Sequence, residues 1–394
     1  MPRRGGGFSG PLTRVAVVGI ALGVVVMVMA VSILRGFRGD ITGKVVGFGS
    51  HVTVHPYGNS EFGIQNAEIQ SIDSLCTAIA QVPGVRKVQA YATKGGMVKT
   101  DDQIYGVVLR GLQQDCDTTF FASCLVDGRL PQFGVADNEV LISQTIASKL
   151  GLHTGDKMRT YFWQGESYRA RAFFVSGIYR TDLTDMDELY IVGSLTTVAK
   201  LNGWAEGGAE GLEVLVDDFE HVDAVKNDIL ATLPYDLTAT TVRESNPALF
   251  SWLDLLSSNI TLILTIMCIV CAVAIVSALL IMIFEKSHTV GVLKTLGATD
   301  MAVRRIFVMR ASRLIVEGVV AGDILAWLLC FVQSRWQPLR LDAESYAMSV
   351  VPVDIDWRIW ALVSLGTMAV CLLALLLPSA YISSINPAKT VKTE

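Results

Sequence analysis

Residues 15–34 read VAVVGIALGVVVMVMAVSIL, a run that contains no charged side chain. An α-helix rises 1.5 Å per residue, so about 20 residues cross the roughly 30 Å hydrocarbon core of a bilayer. Arg3, Arg4 and Arg14 precede the run as basic residues precede the apolar part of a signal peptide. The run is too long for that part, however, and no small-x-small cleavage site ends it. The stretch therefore predicts an uncleaved signal anchor.

Three further apolar runs follow, at Ile260–Phe284, Leu314–Val332 and Ile359–Ile382. Backbone in lipid must satisfy its hydrogen bonds internally, so we expect all four runs to be helical. The predicted transmembrane helices cover residues 15–34, 257–284, 311–333 and 358–382. The composition agrees, since only 18% of the 394 residues are charged, against about 25% in soluble domains. Asp323 lies within the third run, where an acid is expected to face the bundle interior or to serve function.

The short segments that flank the runs predict the orientation. The N-terminus, the segment after the second run and the C-terminal tail are all basic, through Arg3, Arg4, Arg14, Lys286, Lys294, Arg304, Arg305, Arg310, Arg313, Lys389 and Lys392. These three segments share one side of a four-span protein, and the positive-inside rule assigns that side to the cytoplasm. Residues 1–14, 285–310 and 383–394 are then cytoplasmic, and residues 35–256 and 334–357 lie outside. We expect a multi-pass protein of the cell inner membrane with both termini in the cytoplasm.

The segment between the first two runs has the pattern of a mixed α/β domain. Apolar alternation predicts strands at His51–His55, Val85–Ala92, Tyr105–Leu109, Arg171–Gly177 and Gly211–Val216. Apolar residues three or four apart predict helices at Ala67–Gln81, Ser143–Leu150 and Phe219–Leu233. The predicted fold class is an α-helical membrane protein with four transmembrane helices and a large α/β extracytoplasmic domain inserted between helices 1 and 2.

Motifs of catalysis and of metal binding are missing from the sequence. It contains no G-x-S-x-G, H-E-x-x-H or P-loop pattern and no His/Cys cluster with metal spacing. The acidic run Thr181–Glu188 lacks the glycine and the glutamate of an EF-hand, which favours a solvated loop. We therefore expect no enzyme activity, no cofactor and no metal. The net charge of −5, without a basic stripe, argues against nucleic-acid binding.

Three cysteines, Cys76, Cys116 and Cys124, lie in the α/β segment. An odd number allows at most one disulfide there, for which Cys116 and Cys124 are the candidates. Two glycine pairs, Gly19 with Gly23 and Gly318 with Gly322, have the GxxxG spacing that lets membrane helices approach closely. This spacing also arises by chance in apolar helices.

A hairpin is predicted around Gln164-Gly165-Glu166. Its arms carry aromatic residues and arginines, which are enriched at protein contacts, namely Tyr161, Phe162, Trp163, Tyr168 and Arg169. Two interpretations remain open at this stage. The aromatic side chains either cap the core of their own domain or bind a partner.

The segment that leaves the second run reads EKSHTVGVLKTLGA over residues 285–298. It predicts either a short amphipathic helix on the membrane surface, ended by Gly297, or a solvated connector. The segment resembles the signature E-x(4)-IG-[IV]-L-[KR]-[AT]-[LI]-GA of FtsX-like permeases, the transmembrane subunits of type VII, MacB-like ABC systems. In that family this segment is the coupling helix that docks into the ATPase subunit. The resemblance carries that role to Glu285, Lys286, Gly291, Leu293, Lys294, Gly297 and Ala298.

Further stretches are similar to the LolC/LolE lipoprotein-releasing branch of that family. They are Gly19–Gly23 with Gly36-Phe37, Gly49–Val52, Glu139–Ser143, Ala147–Leu152, Gly155–Lys157, Val175–Tyr179 and Ile385–Ala388. The resemblance implies a MacB-like periplasmic domain and a permease that works with a separate cytoplasmic ABC ATPase subunit. It also implies a second permease copy or paralogue, a lipoprotein substrate, contact with membrane lipids and a periplasmic lipoprotein carrier. The hairpin lies where this branch has its carrier-recruiting hook, but it lacks the proline-rich sequence of that hook.

The mechanism implied by the resemblance is release of an acylated lipoprotein from an apolar cavity between the first two spans. Val24, Val28, Met267 and Val270 are residues of the type that lines such a cavity. Within the same scaffold, the alternatives are a MacB-like efflux pump and an FtsX-like mechanotransmission permease that regulates a cell-wall hydrolase. A more remote alternative is a membrane receptor or adaptor that needs no ATPase.

Overall fold

The structure is a computed structural model that describes residues 9–58, 67–69, 72–100, 103–134, 137–164, 167–205, 207–341 and 348–376. The described residues form two compact units. The first comprises those within 1–39, 251–340 and 350–394, and the second those within 40–250 and 341–349. The C-terminal tail, the Ile385–Ala388 match, the end of the fourth predicted span and most of the N-terminal segment lie outside the described residues.

Helices and strands are numbered here in chain order. The helices are α1 (Ser9–Phe48), α2 (Ile72–Ala80), α3 (Thr119–Ser123), α4 (Gln144–Leu150), α5 (Thr184–Leu189), α6 (Leu195–Asn202), α7 (Val222–Thr232), α8 (Val242–Ser245), α9 (Pro247–Glu285), α10 (Ser287–Thr295), α11 (Asp300–Trp336) and α12 (Trp357–Ala374). The strands are β1 (Val52–Pro56), β2 (Val85–Lys99), β3 (Ile104–Leu112), β4 (Leu125–Gly128), β5 (Glu139–Ser143), β6 (Lys157–Gln164), β7 (Ser167–Tyr179), β8 (Tyr190–Ser194), β9 (Gly211–Val216) and β10 (Leu237–Thr241).

Within the described residues, α1, α9, α11 and α12 are the four helices long and apolar enough to cross a membrane. The first three predicted apolar runs are therefore helical, and the fourth is helical from Ile359 to Ala374. Three of the helices extend well past their runs, since helix propagation continues through the polar residues that flank the lipid-sized core. Trp336 and Trp357 are exposed at the ends of α11 and α12, as in the aromatic belts of membrane proteins.

Glycines bring α1 against two neighbours in the first unit. A Cβ at Gly322 on α11 would lie 2.8 Å from the Ala21 carbonyl oxygen and 2.8 Å from Val24 Cβ on α1. A Cβ at Gly23 on α1 would collide with Cys271 Sγ on α9. Both predicted GxxxG pairs therefore contribute to helix contacts. Backbones can approach this closely only where the side chain is absent.

Polar side chains also join the helices of the first unit. The Trp360 indole on α12 donates to Ser32 Oγ on α1 at 2.7 Å. Arg35 on α1 pairs with Asp354 at 3.1 Å. Asp323, whose partner the sequence did not indicate, accepts a 2.6 Å hydrogen bond from Ser364 on α12. Its carboxylate therefore faces another helix of the bundle.

The second unit contains a 10-stranded sheet with the order β10-β1-β9-β2-β3-β8-β5-β7-β4, and β6 pairs with β2 and β7. Most neighbours are antiparallel, but β3 with β8 and β5 with β7 are parallel. One face of the sheet carries the apolar core, which includes Val54, Ala92 and Val214 and extends to Ile79 on α2 and Ile229 on α7. The segment is thus the α/β domain that the sequence predicted.

One expectation for this unit was wrong, and the cysteine pairing that the sequence left open is absent. Residues 184–189 form helix α5, not a solvated loop, because the buried Asp187 carboxylate accepts hydrogen bonds from the Thr181 and Asp182 amides and the Thr181 hydroxyl. Cys116 and Cys124 are both free. Burial raises the pKa of Cys116 to about 11, which keeps the thiol protonated and unreactive.

A Gly322→Ala substitution tests the contact between α1 and α11. The added methyl group overpacks the interface, so we expect a loss of about 1–3 kcal/mol in stability relative to Gly366→Ala. Gly366 on α12 is a matched control, because a Cβ added there would have no heavy atom within 4 Å. Thermal unfolding of both variants in detergent measures the difference. Equal unfolding temperatures would show that the close approach is not needed.

Candidate coupling surface and partner-binding hairpin

The segment after α9 forms the short helix α10, Ser287–Thr295. Val290 and Gly291 are buried, and Val290 packs in the apolar core of the first unit with Ile283 and Val303. Of the two interpretations left by the sequence, the structure therefore confirms the helix. A connector without packing would leave Val290 exposed.

Gly297 ends α10 as the sequence predicted. Its φ of +94° lies in the left-handed region that glycine adopts without steric cost. The Ala298 amide donates to the Leu293 carbonyl at 3.0 Å and the Gly297 amide to the Lys294 carbonyl at 3.1 Å. These two bonds make a Schellman motif, which satisfies carbonyl groups at the helix end. Thr299 then caps α11, since its side chain accepts from the Ala302 amide.

An ion pair between Lys294 and Asp300 also holds this turn in place. The Lys294 ammonium group pairs with Asp300 at 2.9 Å, and the lysine side chain is only 9% exposed. The α10 helix, the turn and the start of α11 are thus held by a Schellman motif, an N-cap and an ion pair. The result is a defined surface instead of a flexible loop.

The exposed residues of this surface differ in part from those predicted. Glu285, Lys286 and Gly297 are exposed, but Leu293, Lys294 and Ala298 are half-buried and Gly291 is buried. Three large apolar side chains outside the predicted contact set are exposed instead: Val292 at 40%, Leu296 at 79% and Met301 at 74%. Val292 and Leu296 are four residues apart, a spacing that puts them on one helix face. The sequence signal for Val292 and Leu296 was their place at the [IV] and [LI] positions of the signature, whereas Met301 lies beyond it.

The predicted hairpin is present as β6 and β7, and residues 165–166 at its turn lie outside the described residues. Which of the two interpretations applies to an aromatic residue depends on the strand face that carries it. Phe162 is fully buried and contacts Phe173 edge to face at 6.1 Å. Trp163 and Tyr168 are cross-strand partners, 47% and 55% exposed, with ring centroids 4.8 Å apart.

The remaining predicted hairpin residues lie on different faces. Tyr161 is half-buried and, two residues from Trp163, shares its face. Arg169 is exposed but is the cross-strand partner of Phe162, so it lies on the opposite face from Trp163 and Tyr168. An exposed aromatic pair has the composition of a protein contact. Trp163 and Tyr168 therefore form a candidate partner-binding surface, whereas Phe162 belongs to the domain core.

The four residues predicted to line a lipoprotein cavity do not share one surface in this chain. Val24 and Val28 are fully buried in the helix core, Met267 is half-buried, and Val270 is 51% exposed. The reason is that Val24 and Val28 lie on the face of α1 that packs against its neighbours. An open apolar groove of about 630 Å³ lies instead between α9 and α12, lined by Leu264, Ile269, Val273 and Val370 among others.

The described residues contain no cluster of three or more His, Cys, Asp or Glu side chains that could hold a metal ion. His51 has a structural role, because its Nδ1 accepts from the Val216 amide at 3.2 Å and burial lowers its pKa to about 4. The surfaces described above are suited to binding.

Comparison with known proteins gives two family matches. Residues 13–232 match the model of the MacB-like periplasmic core domain, and residues 247–387 match that of the FtsX-like permease C-terminal domain. The first match covers most of the sheet-containing unit, up to the end of α7, and the second covers the helices from α9 onward.

Relatives align with this chain over nearly its whole length. The lipoprotein-releasing system transmembrane protein LolC of Xylella fastidiosa is 23% identical, over 100% of this chain and 96% of its own length. LolE of Haemophilus influenzae is 21% identical, over 97% of this chain and 94% of its own length. The periplasmic region of MacB from Actinobacillus actinomycetemcomitans aligns over 52% of this chain and 95% of its own, with 14% identity and a TM-score of 0.36.

Proposed function

This chain belongs to the family of the MacB-like periplasmic core domain, with an FtsX-like permease domain at its C-terminal side, and from that premise we propose that it releases lipoproteins from the inner membrane as an ABC transporter permease. Hydrolysis of ATP would occur in a separate cytoplasmic subunit. The names of full-length relatives, LolC and LolE, support the lipoprotein cargo. The observation that carries the coupling role is the exposed apolar surface at α10.

The proposed orientation places α10 in the cytoplasm and the sheet-containing unit in the periplasm. Its support is the basic character of the segment around α10, with Lys286, Arg304 and Arg305. Both termini are then cytoplasmic. The permease works with a second copy of itself or with a paralogue, as expected for a two-permease transporter.

The proposed coupling surface consists of Val292, Leu296 and Met301. These three side chains are 40–79% exposed, and exposed apolar side chains near one another are typical of a protein contact. Gly297 and the Lys294–Asp300 pair fix its position. Movement of a docked ATPase subunit would therefore be transmitted directly to α11 and, through Lys286 and α9, to the bundle.

We expect Leu296→Asp to lower co-purification of the ATPase subunit at least about tenfold. An exposed apolar anchor at an interface contributes about 2 kcal/mol or more, while the same change on a free surface hardly alters stability. Leu339→Asp is the matched control, since Leu339 is 53% exposed beyond the opposite end of α11. If a folded Leu296→Asp chain bound the ATPase as well as the unsubstituted chain, this surface would not be the site where the ATPase docks.

Cysteine labelling tests the orientation. An impermeant maleimide applied to intact spheroplasts should label Tyr235→Cys, at a fully exposed position, and should leave Leu296→Cys unlabelled until the membrane is permeabilised. The unsubstituted chain measures the background from its own seven cysteines. Labelling of Leu296→Cys in intact spheroplasts would contradict the proposed orientation.

The proposed cargo path uses the apolar surface of α9. Burial of each CH₂ of an acyl chain contributes about 0.8 kcal/mol, so an apolar groove in the bilayer suits an acylated protein. The exposed Val270 and the groove lined by Ile269 and Val273 are on this helix. Val24 and Val28 would join the path only if α1 and α9 separate, because both are buried in this state.

Reconstitution with the ATPase tests the cargo. We expect ATP-dependent release of a radiolabelled triacylated lipoprotein from proteoliposomes, and no release of the same protein without its acyl chains. A photo-crosslinker at Val270 should capture the acylated form. Export of small amphiphiles without lipoprotein release would favour efflux, and activation of a cell-wall hydrolase without release would favour mechanotransmission.

The exposed hairpin surface is the proposed docking site of a periplasmic lipoprotein carrier. The support is the exposed aromatic pair Trp163 and Tyr168. In the release assay, Trp163→Ala with Tyr168→Ala should slow transfer to the carrier and leave ATP hydrolysis unchanged. Phe162→Ala is not a suitable variant, because Phe162 is part of the core.

A further inference from the structure

Residues 350–356 lie directly before α12 and form an extended segment without a helix of their own, which we call the strap. The strap plays no part in the function proposed above. Residues of three helices, α11, α1 and α12, hold it in place. These contacts therefore decide which helices can move together.

Gln333, near the end of α11, joins the strap to that helix. Its side chain is buried, and its amide nitrogen donates to the Leu339 carbonyl at 3.1 Å and to the Val351 carbonyl at 3.2 Å. The Leu339 amide donates to the Gln333 amide oxygen at 3.2 Å. A buried amide group that is bonded through both its nitrogen and its oxygen fixes the start of the strap on α11.

One face of α1 holds the middle of the strap. The Asp354 amide donates to the Ser32 carbonyl at 3.1 Å, and Arg35 pairs with the Asp354 carboxylate at 3.1 Å. A Cβ at Gly36 would lie 2.7 Å from the Pro352 carbonyl oxygen, so the glycine allows the strap to come this near. Ser32, Arg35 and Gly36 are three or four residues apart and therefore share a helix face.

The start of α12 is tied to the same face of α1. Asp356 caps α12, since its side chain accepts from the Arg358 amide at 2.9 Å, and it also lies 3.5 Å from Arg35 Nη2. The Trp360 indole donates to Ser32 Oγ at 2.7 Å. Arg35 therefore holds both the middle of the strap and the helix cap that follows it. At this end, hydrogen bonds and ion pairs join α1 to α11 and α12.

A different face of α1 contacts α9 near the same end. The rings of Phe37 and Trp252 meet edge to face, with their centroids 5.6 Å apart. Arg38 lies 3.4 Å from Asp254, and 41% and 59% of these two side chains are exposed. An ion pair this exposed contributes little to stability. The contact with α9 thus consists of an aromatic pair and a weak ion pair, whereas hydrogen bonds of buried side chains hold the strap and α12.

Deeper in the bundle, apolar contacts join α1 to α9. A Cβ at Gly19 would lie 3.9 Å from Ala274 Cβ, and Gly23 makes room for the side chain of Cys271. Acyl chains are as apolar as these side chains, so they can replace such contacts at little cost when the helices separate. Hydrogen bonds broken in lipid, in contrast, leave polar groups without partners, which is costly. The face of α1 toward α9 is therefore the one that opens more easily.

We propose that the strap keeps α1 joined to α11 and α12 while a docked ATPase subunit moves α11, with Arg35 as the positioning residue. α1 then separates from α9, and an apolar slot opens between Gly19 and Gly23 on one side and Cys271 and Ala274 on the other. This inference rests on the function proposed above and deepens it, because it assigns the opening to one face of α1.

A disulfide between α1 and α9 measures the separation. In the variant with Gly19→Cys and Ala274→Cys, the Cβ separation of 3.9 Å suits a disulfide, whose Cβ atoms lie about 3.8 Å apart. In the complex with the ATPase subunit, we expect oxidation to form this bond without nucleotide and to fail when ATP and vanadate trap the ATPase. Peptide mass spectrometry measures the yield. The unsubstituted chain gives the background from its own cysteines.

Arg35→Asp in the same double-cysteine chain tests the strap. This change puts a third acid beside Asp354 and Asp356, so α1 should no longer follow α11, and the disulfide should form equally with and without nucleotide. Adding Asp354→Arg restores an opposite charge and should restore the effect of nucleotide. Arg38→Gln is the matched control, because it removes an ion pair to α9 and should leave the effect of nucleotide unchanged. Thermal unfolding verifies that each chain is folded.

The inference would be overturned if nucleotide still prevented the disulfide in a folded Arg35→Asp chain. It would also be overturned if nucleotide had no effect on the disulfide in the chain that retains Arg35. The release assay is a separate measurement. An Arg35-dependent effect of nucleotide without lipoprotein release would support the strap and reject the proposed cargo, whereas failure of the chain to bind an ATPase would reject the coupling role and the strap together.

Discussion

The close approach of α1 to its neighbours is the contact on which the helical unit depends. Helices in lipid gain nothing from hydrophobic burial against each other, because the acyl chains are as apolar as leucine. Packing of two such helices therefore requires that their backbones approach each other closely. Gly318 and Gly322 on α11 leave room for the backbone and side chains of α1. Gly23 on α1 in turn leaves room for Cys271 of α9. The buried polar contacts, such as Trp360 with Ser32, then fix the register of these helices.

The sheet-containing unit is built on a different constraint. In water, apolar burial is the driving force, and one face of the sheet supplies it through Val54, Ala92 and Val214 against helices. The opposite face need not be apolar, and here it carries Arg110 and Glu213. A buried ion pair is weak evidence for stability, because desolvation of both charges offsets their attraction.

The coupling surface combines rigidity with exposure. Gly297 in the left-handed region and the buried stem of Lys294 hold α10 at a fixed angle to the start of α11. Leu296 and Met301 remain exposed beside this rigid turn. A docked subunit would therefore meet apolar anchors that are already ordered, and little conformational entropy would be lost on binding.

The sequence by itself determined the four apolar helices, the α/β character of the segment between them, the Gly297 helix end and the hairpin. Each of these follows from local information: the length of an apolar run, the alternation of apolar residues, or a glycine at a required φ. The tertiary structure alone decided which side chains face outward. In the structure, Leu293 is partly buried and Leu296 is exposed. Val24 and Val28 lie in the core, and Phe162 is buried whereas its neighbour Trp163 is exposed. The tertiary structure also brought Arg110 on β3 and Glu213 on β9 into contact, because strand order in a sheet depends on contacts between residues far apart in the chain.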